Sequence, residues 1–239
     1  MLRWKEERQG ETALLIEGAR RIGKSTIVEE FAKNEYSSYI LVDFSKTATE
    51  INDLFNDLSD LNYIFLRLQL NYNVSLKERK SLIIFDEVQN NPKARQAIKH
   101  LVKDHRYDYI ETGSLISIRK NVQNIIIPSE ETRITMHPMD FEEFRWAMGD
   151  NVSFTLLKTV LEKKQPLGEA IHRKLMRDFR LYMLVGGMPQ AVDKYIKTND
   201  LSEVDTVKRD IIALYEEDLR KIDTSGKATA MFDAIPSQL

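Results

Sequence analysis

The segment that most constrains the fold of this chain is IEGARRIGKST, which spans residues 16–26 and follows the apolar residues 13–16. It matches the pattern G-x-x-x-x-G-K-[ST] through Gly18, Gly23, Lys24 and Ser25. The apolar run predicts a buried strand before the segment, and the spacing of apolar residues over 24–33 predicts a helix after it. The segment is therefore expected to be a loop between a strand and a helix, which is the context in which this pattern binds phosphate.

The chemistry of this loop follows from its residue types. Gly18 permits a tight turn, and Gly23 allows backbone N–H groups to approach phosphate oxygens without a Cβ in the way. These N–H groups and the positive end of the following helix form an anion site. We expect Lys24 to reach the β- and γ-phosphates and to assist catalysis, and Ser25 to bind Mg²⁺ through its hydroxyl. The residues predicted to bind the nucleotide in this loop are Gly18, Ala19, Arg20, Arg21, Ile22, Gly23, Lys24, Ser25 and Thr26.

A second motif, SLIIFDE at residues 81–87, is an apolar strand that ends in two adjacent carboxylates. This is the Walker B pattern, in which Asp86 is expected to hold the magnesium shell opposite Ser25. Glu87, one residue further, is suited to act as a general base on a water molecule in line with the γ-phosphate. The structural alternative is that the two acids cap the next helix.

A third element is Thr112-Gly113-Ser114, which we expect just past the fourth strand. A hydroxyl there can contact the γ-phosphate or the attacking water, and Thr112 is the preferred candidate ahead of Ser114. The alternative is a local turn, because turns favour these residue types.

Strands alternate with helices through the first part of the chain, a pattern that predicts an α/β domain with a mostly parallel sheet covered on both faces. After Pro138 the pattern becomes helical, beginning with a D-x-x-E capping box at Asp140 and Glu143. We expect an ATPase core over residues 1–145, and a helical lid with the start of a truncated C-terminal region over residues 146–239. The predicted strands cover residues 12–16, 39–44, 81–85, 107–110 and 133–136.

Composition excludes several other classes of protein. The 239 residues contain 35 Lys plus Arg against 37 Asp plus Glu, a formal net charge of -2 that gives no general sign of nucleic-acid binding. Without cysteine there is no disulfide or thiolate metal site. No apolar run approaches the roughly 20 residues of a membrane span, and the N-terminus lacks the apolar core of a signal peptide. We therefore expect a cytoplasmic protein that does not enter a membrane.

One predicted helix, after Pro92, has a basic character that leaves two interpretations open. The side chains could bind DNA phosphates, or they could form an ordinary solvent-exposed face of the helix. The basic residues concerned are Lys93, Arg95, Lys99, Lys103 and Arg106.

Five segments together resemble one family, the bacterial and archaeal AAA-type P-loop ATPases with a C-terminal domain of unknown function. They are LLIEGARRIGKST, LIIFDEVQNNPKARQAIKHLV, IETGSL, HPMDFEEF and LVGGMPQAV, and the resemblance runs from about residue 12 to 222. It implies ATP and Mg²⁺ as ligands and a five-stranded sheet of order 5-1-4-3-2 followed by a small helical lid. By similarity to related signalling ATPases, Pro189 of Gly187-Met188-Pro189 would contact the adenine; the alternative is that it simply starts a helix.

The chain departs from this family in two places. Members usually carry a Pro-x-Gly-Arg stretch with a candidate arginine finger before the fifth strand, whereas this chain has Pro128-Ser129-Glu130-Glu131-Thr132-Arg133. Arg133 is thus more simply interpreted as an exposed arginine entering a strand. Members also continue beyond the equivalent of FDAIPSQL, so the chain is expected to be a fragment that lacks the C-terminal domain.

Two functions from different classes remain open at this point. The first is a Mg²⁺-dependent ATPase whose hydrolysis cycle moves the lid, which the second acid Glu87 favours. The second is a nucleotide-gated binding module with little turnover, which the missing finger favours. In either case the client is an unidentified protein or nucleic acid, and the resemblance leaves open whether the chain forms a homo-oligomer.

Overall fold

The computed structural model of the chain describes residues 1–114 and 129–238, so Leu115, Pro128 and Leu239 of the segments quoted above lie outside the described residues. These residues form two compact units, Met1–His137 and Pro138–Leu239. The assignment of residues 1–145 to a core and of 146–239 to a lid stays a prediction.

The first unit alternates strands and helices. The strands are β1 Ala13–Gly18, β2 Ser38–Asp43, β3 Ser81–Asp86, β4 Asp108–Ser114 and β5 Glu131–Met136. The helices are α1 Leu2–Arg8, α2 Lys24–Glu35, α3 Thr49–Asp53, α4 Leu61–Tyr72 and α5 Pro92–Asp104, with 3-10 turns at Leu54–Asn56 and Val88–Asn90.

The described strands form one five-stranded sheet of order β2-β3-β4-β1-β5, in which every neighbouring pair is parallel. This confirms the predicted α/β class and the strand order. Because β4 lies between β1 and β3, the loop after β1 and the acids that end β3 are brought to the same edge of the sheet, where the carboxyl ends of parallel strands meet.

Apolar side chains cover both faces of this sheet, as a parallel sheet requires. In β3, Leu82 and Ile84 pack with Trp4 and residues of α2, whereas Ile83 and Phe85 pack on the other side against α3, α4 and α5. The two apolar clusters hold β3 in place, so that Asp86 at its end is fixed relative to the sheet.

The fourth strand is longer than the sequence predicted. Thr112, Gly113 and Ser114 belong to β4 and pair with Ile16, Glu17 and Gly18 of β1, instead of following the strand as a turn. The prediction was wrong because it ended the strand with its apolar run, whereas the ladder to β1 continues through polar residues that are fully buried.

The second unit is helical throughout its regular structure. Its helices are α6 Phe141–Ala147, α7 Ser153–Glu162, α8 Glu169–Val185, α9 Pro189–Thr198, α10 Leu201–Ile222 and α11 Lys227–Ala234. The predicted capping box is present at the start of α6, where Asp140 accepts from the Glu143 backbone and Glu143 accepts from the Asp140 backbone. A small core of Phe144, Val185, Val192 and Val204 holds this unit together. Across residues 1–114 and 129–238, no helix is long and apolar enough to cross a membrane.

Candidate functional site

The two glycines of the loop between β1 and α2 are needed for different reasons, because Gly18 is the last residue of β1 and not the turn residue that was predicted, whereas Gly23 has a left-handed backbone. Gly23 has φ of +90°, a conformation that costs residues with a Cβ about 1–2 kcal/mol. Gly18 faces the backbone of Met136 on β5, and a Cβ built at Gly18 would lie 2.3 Å from the Met136 carbonyl oxygen. Only glycine fits at position 18, because β5 and the buried Ile22 side chain close the space on that side.

Lys24 begins α2 and is directed back into the loop. Its Nζ donates to the carbonyl oxygens of Ala19 at 2.7 Å and of Gly18 at 3.3 Å, and the residue is only 5% exposed. Burial lowers the pKa of the Lys24 ammonium, while the nearby carboxylates of Glu87 and Asp86 act in the opposite direction. The ammonium thus lies within electrostatic reach of both acids that end β3.

Ser25, Asp86 and Thr112 form one hydrogen-bonded group. The Ser25 Oγ donates to Asp86 Oδ1 at 2.7 Å, and the Thr112 Oγ1 donates to the same oxygen. Asp86 is 6% exposed and Thr112 is fully buried, whereas Ser25 is half-buried. Three elements, the start of α2 and the ends of β3 and β4, therefore meet at a single carboxylate oxygen.

The donors of this group fit a magnesium ion. Mg²⁺ prefers oxygen ligands and is usually bound by one or two protein groups together with substrate phosphates, instead of by an all-protein cage. Ser25 and Asp86 supply a hydroxyl and a carboxylate oxygen that are 2.7 Å apart, close enough to ligate one ion. In the part of the chain that the structure describes, no three His, Cys, Asp or Glu side chains converge as a metal cluster.

Glu87 is held at both its backbone and its side chain. Its φ of +53° places it in the left-handed region, and its N–H donates to Thr112 Oγ1 at 3.3 Å. Its carboxylate accepts a hydrogen bond from the Gln89 amide. Thr112 therefore contacts both acids of the Walker B motif, and a direct contact of its hydroxyl with phosphate or water stays a prediction.

The other predicted site residues are described here by the elements that carry them. Thr26 is exposed on α2. Arg20 is half-buried, and its positive charge helps to lower the pKa of Lys24. Ser114 is buried at the end of β4. Pro189 begins α9 in the second unit, after Gly187, where an added Cβ would meet the Met139 carbonyl oxygen at 2.1 Å. The packing of Gly187 thus has a local explanation, and the contact of Pro189 with adenine stays a prediction.

Arg133 is partly exposed and its Nε donates to Glu131 Oε1 at 2.7 Å within β5. This matches the interpretation of an arginine entering a strand.

A buried charged group on the opposite face of β4 was missed by the sequence analysis. Arg95 of α5 is 2% exposed; its Nη2 lies 3.3 Å from Glu131 and its Nε 3.8 Å from Glu111. Burial and the neighbouring Glu131 raise the pKa of the Glu111 carboxyl well above its ordinary value. Arg95 is therefore no part of a basic surface, which corrects the grouping with Lys93 and Lys99. The missed signal was its spacing, since Arg95 shares the apolar stripe of Ile98 and Val102.

Sequence comparison identifies two regions of the chain. A model of the AAA domain family matches residues 10–145. A model described as a domain of unknown function (DUF8612) matches residues 176–239, within the segment that the sequence analysis assigned to the lid and the start of a truncated region. No curated protein matches the chain.

Two solved structures are among those similar to the chain. PCH-2 from C. elegans is 11% identical with a TM-score of 0.43, over 85% of this chain and 62% of that one. The Hef helicase domain from Pyrococcus furiosus is 14% identical with a TM-score of 0.28, over 96% of this chain and 64% of that one. The chain thus spans less than two thirds of either structure.

Proposed function

This chain belongs to the AAA domain family of P-loop nucleoside triphosphatases, and we propose that it binds ATP with Mg²⁺ and hydrolyses it. The observation that carries the proposal is the convergence of Ser25 and Thr112 on one oxygen of Asp86, with Lys24 and Glu87 beside it. A loop, a lysine, a hydroxyl and two acids are the parts that P-loop phosphoryl transfer uses.

Binding is assigned to the loop and the start of α2. The N–H groups from Gly18 to Ser25, together with the helix N-terminus, would cradle the phosphates. Lys24 would leave the carbonyl oxygens of Ala19 and Gly18 for the β- and γ-phosphates. Ser25 and Asp86 would hold Mg²⁺, which neutralises charge on the phosphates when bound.

Hydrolysis is assigned to Glu87. A water molecule in line with the γ-phosphate would form the new P–O bond while the bond to the leaving diphosphate oxygen breaks, and Glu87 would accept the proton of that water. Lys24 would stabilise charge on the transferred group. Thr112 would support both acids through the hydrogen bonds that it makes to Asp86 and to the Glu87 backbone.

Adenine is the expected base, since the sequence lacks the Asn-Lys-x-Asp pattern that reads guanine. We extend the proposal to the helical unit, whose Pro189 would respond to the bound base as part of a lid that moves with the nucleotide state. The client that such a movement serves, protein or nucleic acid, is left to experiment.

The alternative, a nucleotide-gated binding module with little turnover, is favoured by one observation. The Arg133 guanidinium is bonded to Glu131 within its own strand, so the arginine nearest to the expected finger position has a structural partner. A chain without such a finger binds nucleotide but turns it over slowly.

Release of phosphate from ATP separates the two functions. The comparison is between the unaltered chain and Glu87→Gln, with Glu30→Gln as a matched control because Glu30 is exposed and contacts Lys33 and Asn34 of its own helix. Hydrolysis through Glu87 predicts that Glu87→Gln is at least about 100-fold slower while still binding Mg-ATP, and that Glu30→Gln is unchanged. Equal slow rates in all three would contradict hydrolysis and support the binding module.

A further inference from the structure

Glu87, the candidate general base, is held in place at both its backbone and its carboxylate. Its backbone adopts φ of +53° and ψ of +45°, and the N–H in that conformation donates to the fully buried Thr112 hydroxyl. A non-glycine residue in this region is strained and is found where surrounding contacts impose the conformation. The second restraint acts on the carboxylate, through Gln89.

Gln89 is itself buried, with 7% of its surface exposed, and lies in the 3-10 turn that directly follows Glu87. Backbone bonds from Asn90 to the Glu87 carbonyl and from Asn91 to the Val88 carbonyl, both 3.0 Å long, close this turn.

The turn is fixed on its far side by Asn91. The Asn91 side chain accepts from the Ala94 N–H at the start of α5 and donates to the Asn52 carbonyl of α3 at 3.1 Å. Gln89 therefore reaches Glu87 from a turn held by two helices, and its amide cannot follow the carboxylate freely.

From this geometry we infer that Gln89 is a positioning residue for the proposed hydrolysis, one that fixes the Glu87 carboxylate through Oε2 and thereby directs Oε1 toward the attacking water. The inference rests on the proposed function. A neutral amide suits this task because its N–H orients the carboxylate without competing for the proton of the water. A general base that a third group orients is a recurring arrangement in enzymes.

The test replaces Gln89 by methionine, which has a similar length but no hydrogen-bond donor. Because Gln89 acts on the orientation of Glu87, Gln89→Met should lower kcat for ATP about tenfold or more while KM and the Kd for Mg-ATP stay within about twofold. Gln69→Met is the matched control. Gln69 is a half-buried glutamine of α4 whose side chain donates to the Phe65 carbonyl and accepts from the Leu76 N–H, so its loss should leave kcat unchanged.

A double variant separates positioning from a structural role. If Gln89 acts through Glu87, Gln89→Met added to Glu87→Gln should produce no further fall in kcat, because the group that it orients is already lost. A structural defect would instead lower kcat and thermal stability in both backgrounds.

The kcat values of the single and double variants decide between these possibilities. A tenfold fall in the single variant and none in the Glu87→Gln background supports the inference. An unchanged or raised kcat in Gln89→Met, or an equal fall in both backgrounds, overturns it even if Glu87-dependent hydrolysis stands. If Glu87→Gln is as active as the unaltered chain, the proposed function fails instead, and the two failures are thereby distinguished.

Discussion

The Ser25 hydroxyl lies 2.7 Å from Oδ1 of Asp86 and donates a hydrogen bond to it, although the two residues are 61 positions apart in the chain. The contact exists because β1 and β3 both end at the same edge of the sheet, on either side of β4. It joins the phosphate-binding loop to the acidic pair, so a single ion can reach both.

Removal of the Ser25 hydroxyl should selectively weaken the magnesium dependence of nucleotide binding. We expect Ser25→Ala to bind Mg-ATP about tenfold more weakly, and to bind ATP in EDTA as the unaltered chain does, because only the ion contact is lost. Calorimetric titration in each condition measures this. Ser225→Ala removes a comparable serine–aspartate hydrogen bond, 2.6 Å long, in the helical unit and should change neither affinity.

Any side chain at position 18 should disrupt the loop. In Gly18→Ala the Cβ would lie 2.3 Å from the Met136 carbonyl oxygen, so β5 or the loop must shift, at a cost of about 1–3 kcal/mol in the free energy of unfolding. We expect the stabilisation of the chain by Mg-ATP in thermal melts to be lost as well. Gly149→Ala meets no atom within 4 Å and carries only the strain of its φ of +87°, so it should keep that stabilisation.

Arg95 should contribute to stability as the partner of buried carboxylates. Arg95→Met leaves Glu111 and Glu131 buried without their shared cation, which we expect to lower the free energy of unfolding by about 3–5 kcal/mol. Lys99→Met, on the exposed face of the same helix, should change it by less than about 0.5 kcal/mol. Urea unfolding of both variants measures the difference. Equally small changes in the free energy of unfolding of both variants would mean that Arg95 contributes no more to stability than an exposed basic residue.

Glu111 should make the folded chain less stable as the pH rises. Burial and Glu131 raise the pKa of Glu111 in the folded state, so between its ordinary value of 4.5 and that raised value the folded chain binds more protons than the unfolded chain. Stability is therefore lost as the pH increases through this window. Glu111→Gln cannot ionise, so the variant should gain stability relative to the unaltered chain as the pH rises from 5 to 8. Denaturant unfolding at each pH measures this. A stability difference between the two proteins that is the same at pH 5 and pH 8 would contradict the prediction.

The sheet could be predicted from the sequence because its signals are local. The first three strands each contain an apolar run, the long helices show a 3.6-residue apolar period, and the loop pattern fixes which strand comes before the phosphate site. Lys24, Ser25, Asp86 and Glu87 were predicted to lie near one another by motif, and the structure brings them together.

The sequence analysis failed where a side chain's role depends on a distant partner. Thr112 was expected just past the fourth strand because the apolar run ends before it, but β1 supplies a ladder partner that no local pattern reveals. Arg95 was interpreted as an exposed basic residue. Its burial could not be predicted because it depends on Glu111 and Glu131, which lie on two strands later in the chain. Gln89 was passed over because nothing in its residue type marks it as a partner of Glu87.

If the loop and the acids form one Mg-ATP site, calorimetric titration of ATP with Mg²⁺ should distinguish the unaltered chain from Lys24→Ala. Lys24→Ala should keep its fold, since the Lys24 ammonium donates to two loop carbonyls, and Lys33→Ala is the control because Lys33 is exposed on the same helix. We expect saturable 1:1 binding to the chain and to Lys33→Ala, and binding at least about 100-fold weaker to Lys24→Ala. Equal affinity in all three proteins, or no binding to any of them, would contradict it.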